Sequence, residues 1–149
     1  MRRQALVLIA ALLLSRGVAA EPGELVVIVH PSNAAHVLSA DELRPLFLTR
    51  EQRWPNGDKA KPVNLPRESD ERRAFDSAAL GMSQEEVERY WVDRKIRGGA
   101  PPPVTLSSVD AVVAFVGSTK GAVGYVASSH ASDKVRIVAR LRGGAVVSP

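Results

Sequence analysis

Apolar residues follow two different rhythms along this chain. Glu24-Leu-Val-Val-Ile-Val29 is a β-branched run without a polar break after Glu24, which predicts a strand covered on both faces. His30-Pro31-Ser32-Asn33 ends it. From Ser39 the spacing becomes helical. Ser39 and Glu42 form a capping box, in which the serine hydroxyl accepts from the third helical N–H and the glutamate reaches back. Leu43, Leu46 and Phe47 share one face, and Pro45, lacking a backbone donor, predicts a kinked or shortened helix. Trp54-Pro55-Asn56-Gly57-Asp58 is turn chemistry. Lys61 to Pro66 leaves room only for a short extended segment between its prolines.

The second half is richer in helix. Ser69 caps a predicted helix with Phe75, Ala78, Ala79 and Met82 as its apolar positions, closed by Gly81. Ser83 and Glu86 form a second capping box for a helix running to about Ile96. Its stripe is Val87, Tyr90 and Trp91. Gly98 to Pro103 reads as an open loop. Ser107-Ser-Val-Asp110 starts a fourth helix, with Val109, Val112, Val113 and Val116 at helical spacing. Gly117 to Gly121 reads as a turn, Ala122 to Val126 as a strand, and Val135 to Ala139 as a final strand. Strands interleaved with helices predict an α/β fold. Phe75, Trp91, Val112, Val116 and Tyr125 are its expected core.

A different pattern precedes these elements. Met1-Arg2-Arg3-Gln4 is basic, Ala5 to Leu14 is continuously apolar, and Val18-Ala19-Ala20 offers small residues before Glu21-Pro22. That is the layout of a secretory signal peptide, residues 1–20, cleaved after Ala20. The apolar run is too short to span a bilayer, which takes about 20 residues, so no stable membrane insertion is expected after cleavage. Residues 21–149 then form one domain in the expected mature chain. This division also changes the charge. The whole chain carries 20 Lys and Arg against 16 acids, and removing Arg2, Arg3 and Arg16 leaves 17 against 16. A net charge of +1 removes the main support for a nucleic-acid partner. The chain has no cysteine, which excludes thiol catalysis and thiolate metal sites. Export without disulfides points to a bacterial periplasm.

Few residues carry recognisable chemistry. His30 and His36 share a loop, but their spacing matches no compact metal signature. Asp41-Glu42 and Glu85-Glu86 fall in first helical turns, where the dipole favours negative charge. No nucleophile elbow or phosphate-cradling loop occurs; Gly117-Ser-Thr-Lys-Gly121 has the ingredients of an anion loop but sits where a plain turn is needed. Trp54 and Trp91 are either ligand-stacking residues or structural anchors. The remaining candidate is Asn64-Leu-Pro-Arg67-Glu68-Ser69-Asp70, where extended chain runs into a helix start. An arginine fork and helix-start donors together suit an oxyanion, while a cap and a surface ion pair are the structural alternative.

Taken in order, these features resemble the periplasmic phosphate-binding protein family of ABC transporters, with the type 2 periplasmic binding protein fold. The matching pieces are Val26 to Asn33, Leu43-Arg-Pro-Leu-Phe-Leu48, Trp54-Pro-Asn-Gly57 and Val63-Asn-Leu-Pro-Arg67. They continue with Arg73-Ala-Phe75, Tyr90-Trp91, Gly98 with Pro101-Pro102, and Gly121-Ala-Val-Gly-Tyr125. The resemblance implies a small mixed sheet flanked by helices, equivalent to one lobe of a two-lobed binding protein. It implies a non-enzymatic solute-binding role in phosphate transport, with no cofactor. Arg67 would clamp phosphate or another oxyanion, Ser69 would add a hydroxyl, and Arg72 a second cation. Family members carry Ser-Gly-Thr at this helix start, whereas Asp70 and Glu71 follow Ser69 here. The alternative is an interaction module that docks a membrane sensor, a transporter or itself through the lobe face. If the leader is read correctly, intact-mass measurement of protein exported by a bacterial host will show Glu21 as the first residue. Retention of Met1, or a start well beyond Glu21, would overturn that reading.

Overall fold

The computed structural model describes residues 23–149, so the leader expected over residues 1–20 lies outside the described residues. One six-stranded mixed sheet organises the chain. β1 (Leu25–Val29) lies between β4 (Ala122–Ala127) and β5 (Arg136–Arg142) and is antiparallel to both. All five of its residues are buried, which explains the uninterrupted apolar run. β2 (Lys61–Asn64) runs parallel to β4, and the two-residue β3 (Val104–Thr105) runs parallel to β2 at one edge. β6 (Ala145–Val147) pairs antiparallel with β5 at the other edge. The fold is α/β, a small mixed sheet flanked by helices.

Both expected capping boxes form. Ser39 and Glu42 start α1 (Ala40–Phe47), while Ser83 and Glu86 start α3 (Gln84–Ile96). Pro45 falls within α1, and the helix ends two residues after it. The Pro45 carbonyl instead accepts from the N–H groups of Arg50 and Glu51 in the turn that follows. Ser69 caps α2 (Asp70–Phe75), and α4 (Val109–Ser118) is capped by Ser108. None of the described helices is long and apolar enough to cross a membrane.

Alternation along β4 decides how the helices cover the sheet. On one face, Tyr125 stacks on Phe75 of α2 with ring centroids 3.9 Å apart, and Phe47 of α1 packs against Phe75 at 4.6 Å. The neighbouring Gly124 points to the opposite face, where a Cβ would meet Val112 and Val116 of α4 and Val63 of β2. Glycine there lets α4 approach the sheet closely. Gly121, at φ 85°, has another role: a Cβ would run into the Lys59 carbonyl, and its own carbonyl accepts from Trp54 Nε1 at 2.9 Å. Trp54 is thus a buried anchor between the loop after α1 and the start of β4.

Several boundaries differ from the sequence reading. The helix expected from Ser69 to Gly81 is α2 followed by a wider π-type turn, Asp76–Leu80, before Gly81 closes it with φ 65°. α4 continues one residue beyond Gly117. The final strand extends to Arg142 because Glu24 pairs with Arg140 at 2.9 Å and with Arg142 at 3.3 Å, so polar residues continue the strand. Gly143 and Gly144, both with positive φ, then turn the chain into β6, a hairpin that the sequence reading omitted.

The expected core also needs one correction. Phe75, Val112, Val116 and Tyr125 are fully buried, whereas Trp91 is only partly covered. Within α3 only Val87 is buried, since this helix packs at the periphery rather than flat on the sheet. Replacing Phe75 by Ala should cost about 3–5 kcal/mol, and Trp91→Ala should cost clearly less. Chemical denaturation of the two variants will check the order, and equal losses would show that α3 is held more tightly than its exposure indicates.

Candidate functional site

The junction that the sequence singles out is built where β2 runs out of the sheet. Asn64 ends the strand, Leu65 and Pro66 carry the chain across, and Ser69 starts α2. A buried network fixes this exit. The Tyr125 hydroxyl donates to Asn64 Oδ1 at 3.1 Å and accepts from the Leu65 N–H at 3.2 Å. Burial pushes the Tyr125 hydroxyl well above its ordinary pKa, so it stays protonated and able to donate. Beside this exit, α3 closes a groove of about 330 Å³. It is lined by polar Asn64, Arg67, Arg72, Asp76, Gln84 and Glu88 and by apolar Val87, Trp91, Val92, Pro102 and Pro103.

Two of the three expected anion ligands, Arg67 and Arg72, line this groove together. Ser69 is not among its walls. Its hydroxyl donates to the Pro66 carbonyl at 2.6 Å and accepts from the Arg72 N–H at 3.2 Å, so both of its roles are local. Arg67 is half-exposed and ion-paired to Glu88 of α3. That bond holds the Glu88 carboxyl below its ordinary pKa. Gln84 donates to the Arg67 carbonyl at 2.6 Å, so α3 grips the same residue twice. Arg72 is buried: Nε donates to Asp76 Oδ2 at 2.9 Å and Nη1 to the Leu65 carbonyl at 3.2 Å. Of the two first-turn carboxylates, Asp70 accepts from Arg73 at 2.8 Å.

Sequence reasoning missed Asp76, Glu88 and Gln84, and named Asn64 only as the start of the candidate junction. Asp76 lies four residues after Arg72, a helical ion-pair spacing that could have pointed to it. No local signal connects Glu88 to Arg67 across 21 residues. The histidines lie elsewhere. His30 Nδ1 is 2.7 Å from Ser32 Oγ, His36 Nδ1 is 2.7 Å from an Arg136 nitrogen, and His130 lies 3.9 Å from Asp110. Among the described residues no three metal-capable side chains cluster.

Asp76 is the unusual member of the groove. It is buried, and its Oδ1 has no hydrogen-bond partner. Burial raises its carboxyl above the ordinary pKa, with the charge and hydrogen bond of Arg72 acting in the opposite direction. A carboxyl with a folded-state pKa above its unfolded value binds its proton more tightly in the folded protein. Its contribution to stability therefore grows as pH falls through that raised value, and is least once it is fully ionised. Asp76→Asn lacks this dependence. Measured against Asp76→Asn by denaturant midpoints, the unaltered protein should improve in relative stability between about pH 7 and pH 4. A relative loss over that range would show that Arg72 dominates and the carboxyl is lowered instead.

No protein-family model matches the chain, and no curated protein matches it. Solved structures do. An ABC-type phosphate transport receptor from Vibrio cholerae superposes with a TM-score of 0.62 at 16% identity, over 80% of this chain and 47% of that one. A Clostridium perfringens protein with phosphate bound gives 0.64 at 18% identity, over 80% and 46%. PstS from Borrelia burgdorferi gives 0.60 at 14% identity, over 78% and 47%. This chain spans just under half the length of each. At these identities the likeness concerns the fold alone, and the chain has the fold of phosphate-transport binding proteins over a lobe-sized part of their length.

Proposed function

We propose that residues 21–149 form a single exported domain in the periplasm, a non-enzymatic solute-binding-like lobe that holds phosphate or another oxyanion weakly. The observation that carries this reading is the placing of Asn64, Arg67, Arg72 and Gln84 around one groove at the end of β2. The likeness in fold to phosphate-transport proteins supports the ligand class and a transporter as partner. Arg67 is the cation available for exchange. Its partner Glu88 is half-exposed, and a surface ion pair exchanges easily. Arg72 is committed to Asp76 and the Leu65 carbonyl, so it contributes field rather than a free fork.

Weak binding follows from the charges. An incoming anion competes with Glu88 for Arg67, and Asp70 and Glu71, in the first turn of α2 but outside the groove walls, add negative charge at a distance. A specific observation also favours a second reading, the interaction module: the groove's apolar side continues into exposed apolar surface along α3 and the proline segment. Calorimetry at low salt separates the parts. Phosphate should bind the unaltered protein with a dissociation constant of about 1 mM rather than 1 μM. Asp70→Gly with Glu71→Thr, and separately Glu88→Gln, should tighten binding. Arg67→Ala should remove it. Micromolar binding by the unaltered protein would show that the carboxylates have been misread, and an unaffected Arg67→Ala would place the site elsewhere.

A further inference from the structure

A second cavity, of about 450 Å³, opens at the edge of β2 beyond the reach of β3. β3 pairs only with Val63 and Asn64, so Lys61 and Pro62 pair with β4 alone. The apolar walls include Leu46, Pro102 and Phe115, and the polar walls Thr49, Lys59 and Lys61. The cavity shares Pro102 and Pro103 with the groove beside α3, but none of that groove's charged walls. Thr49 is its unusual member. Its φ of 52° is one that a β-branched residue rarely adopts. The main chain there is satisfied: the N–H donates to the Leu46 carbonyl at 3.2 Å, and the carbonyl accepts from Arg94 at 2.7 Å. The hydroxyl, by contrast, is buried without a partner in the protein. A glycine would hold this backbone without strain and would bury no hydroxyl. Strained residues of this kind concentrate where ligands are held.

The charges around the hydroxyl say what it would meet. Lys59 and Lys61 are both exposed, and neither makes an ion pair among the described residues. Glu51 is the carboxylate in the lining. Its Oε1 accepts from the N–H groups of Gln52 at 3.1 Å and Arg53 at 3.2 Å, so it is committed to its own turn. The walls thus combine an apolar surface, a net positive charge and an unused hydroxyl donor. A cavity of this size, mostly apolar with a few polar groups at one side, suits a small organic molecule. We infer that it binds a small carboxylate with an apolar body. Lys59 and Lys61 pair with the carboxylate, the Thr49 hydroxyl donates to it, and the body packs against Leu46, Pro102 and Phe115. Inorganic phosphate has no such body, so this is a second site, independent of the oxyanion reading.

The test is titration of the purified protein with sodium phenylacetate, at low salt and without phosphate, followed by backbone amide chemical shifts. A dissociation constant of about 1 mM is expected, with the largest shifts at Thr49, Lys61 and Phe115. Acetate, which lacks the ring, and phenylacetamide, which lacks the charge, should each bind at least about tenfold more weakly. Lys59→Gln with Lys61→Gln should weaken phenylacetate by about tenfold. Thr49→Val has nearly the same shape and should weaken it by a similar factor. Its thermal midpoint should stay the same or rise, because the lost hydroxyl has no partner in the protein. A lowered midpoint with unchanged affinity would make the hydroxyl structural and overturn the inference. So would an absence of binding at about 10 mM, equal binding of phenylacetamide, or shifts centred on Arg67 and Gln84. Because this titration contains no phosphate, its failure leaves the oxyanion reading intact, and the calorimetric test can fail without touching this one.

Discussion

Tyr125 ties the two parts of the molecule together, and the groove exists where it does because of that contact. Its ring sits on the central part of the sheet and stacks on Phe75, fixing α2 against β4. Its hydroxyl reaches Asn64 and Leu65, fixing the point at which β2 leaves the sheet. A buried hydroxyl without partners would cost about 1–3 kcal/mol, so the chain at residues 64–65 is held where it can supply them. The distance from strand end to helix start is thereby set, and with it the positions of Arg67 and Arg72. Packing and hydrogen bonding act here through one side chain.

Much of this fold was legible locally. Ser39 with Glu42, and Ser83 with Glu86, announce their helices because a capping box is satisfied within four residues. Gly81 announces a stop because its positive φ suits glycine. The run Leu25 to Val29 announces a strand buried on both faces. What was not legible depends on distant partners. Trp91 has helical spacing with Val87, but spacing cannot say that α3 lies at the periphery. Arg140 and Arg142 look like the end of a strand until Glu24, more than a hundred residues earlier, is placed beside them. The candidate site divides in the same way. Arg67, Ser69 and Arg72 could be picked out as a group near a helix start, whereas Glu88 and Gln84 enter only through the packing of α3.

α3 is the element on which the functional questions converge. Its inward side reaches Arg67 through Glu88 and Gln84, and its C-terminal half is fixed by Tyr90, which donates to the Leu48 carbonyl at 2.8 Å, and by Arg94, which donates to the Thr49 carbonyl at 2.7 Å. Thr49 has a positive φ of 52° without being glycine, a conformation that persists only where its surroundings hold it. The helix is thus held by polar contacts along both halves and by one buried valine in its N-terminal half. Such an arrangement leaves its outward side uncovered without leaving the helix loose.

Charge at the β2–α2 junction is balanced pair by pair. Arg67 has Glu88, Arg72 has Asp76 and Arg73 has Asp70. Three cations within seven residues would ordinarily make a strongly positive surface, yet each carries its own carboxylate, and little field is left to draw an anion from solution. The pairs differ in how easily they open. Breaking the buried Arg72–Asp76 pair leaves an uncompensated charge and costs about 3–5 kcal/mol, so it stays closed under any weakly binding ligand. The Arg67–Glu88 pair faces water, which solvates both partners once they separate. Under the proposed oxyanion reading an anion gains only Arg67, and any selectivity depends on what Glu88 releases rather than on how many arginines are present.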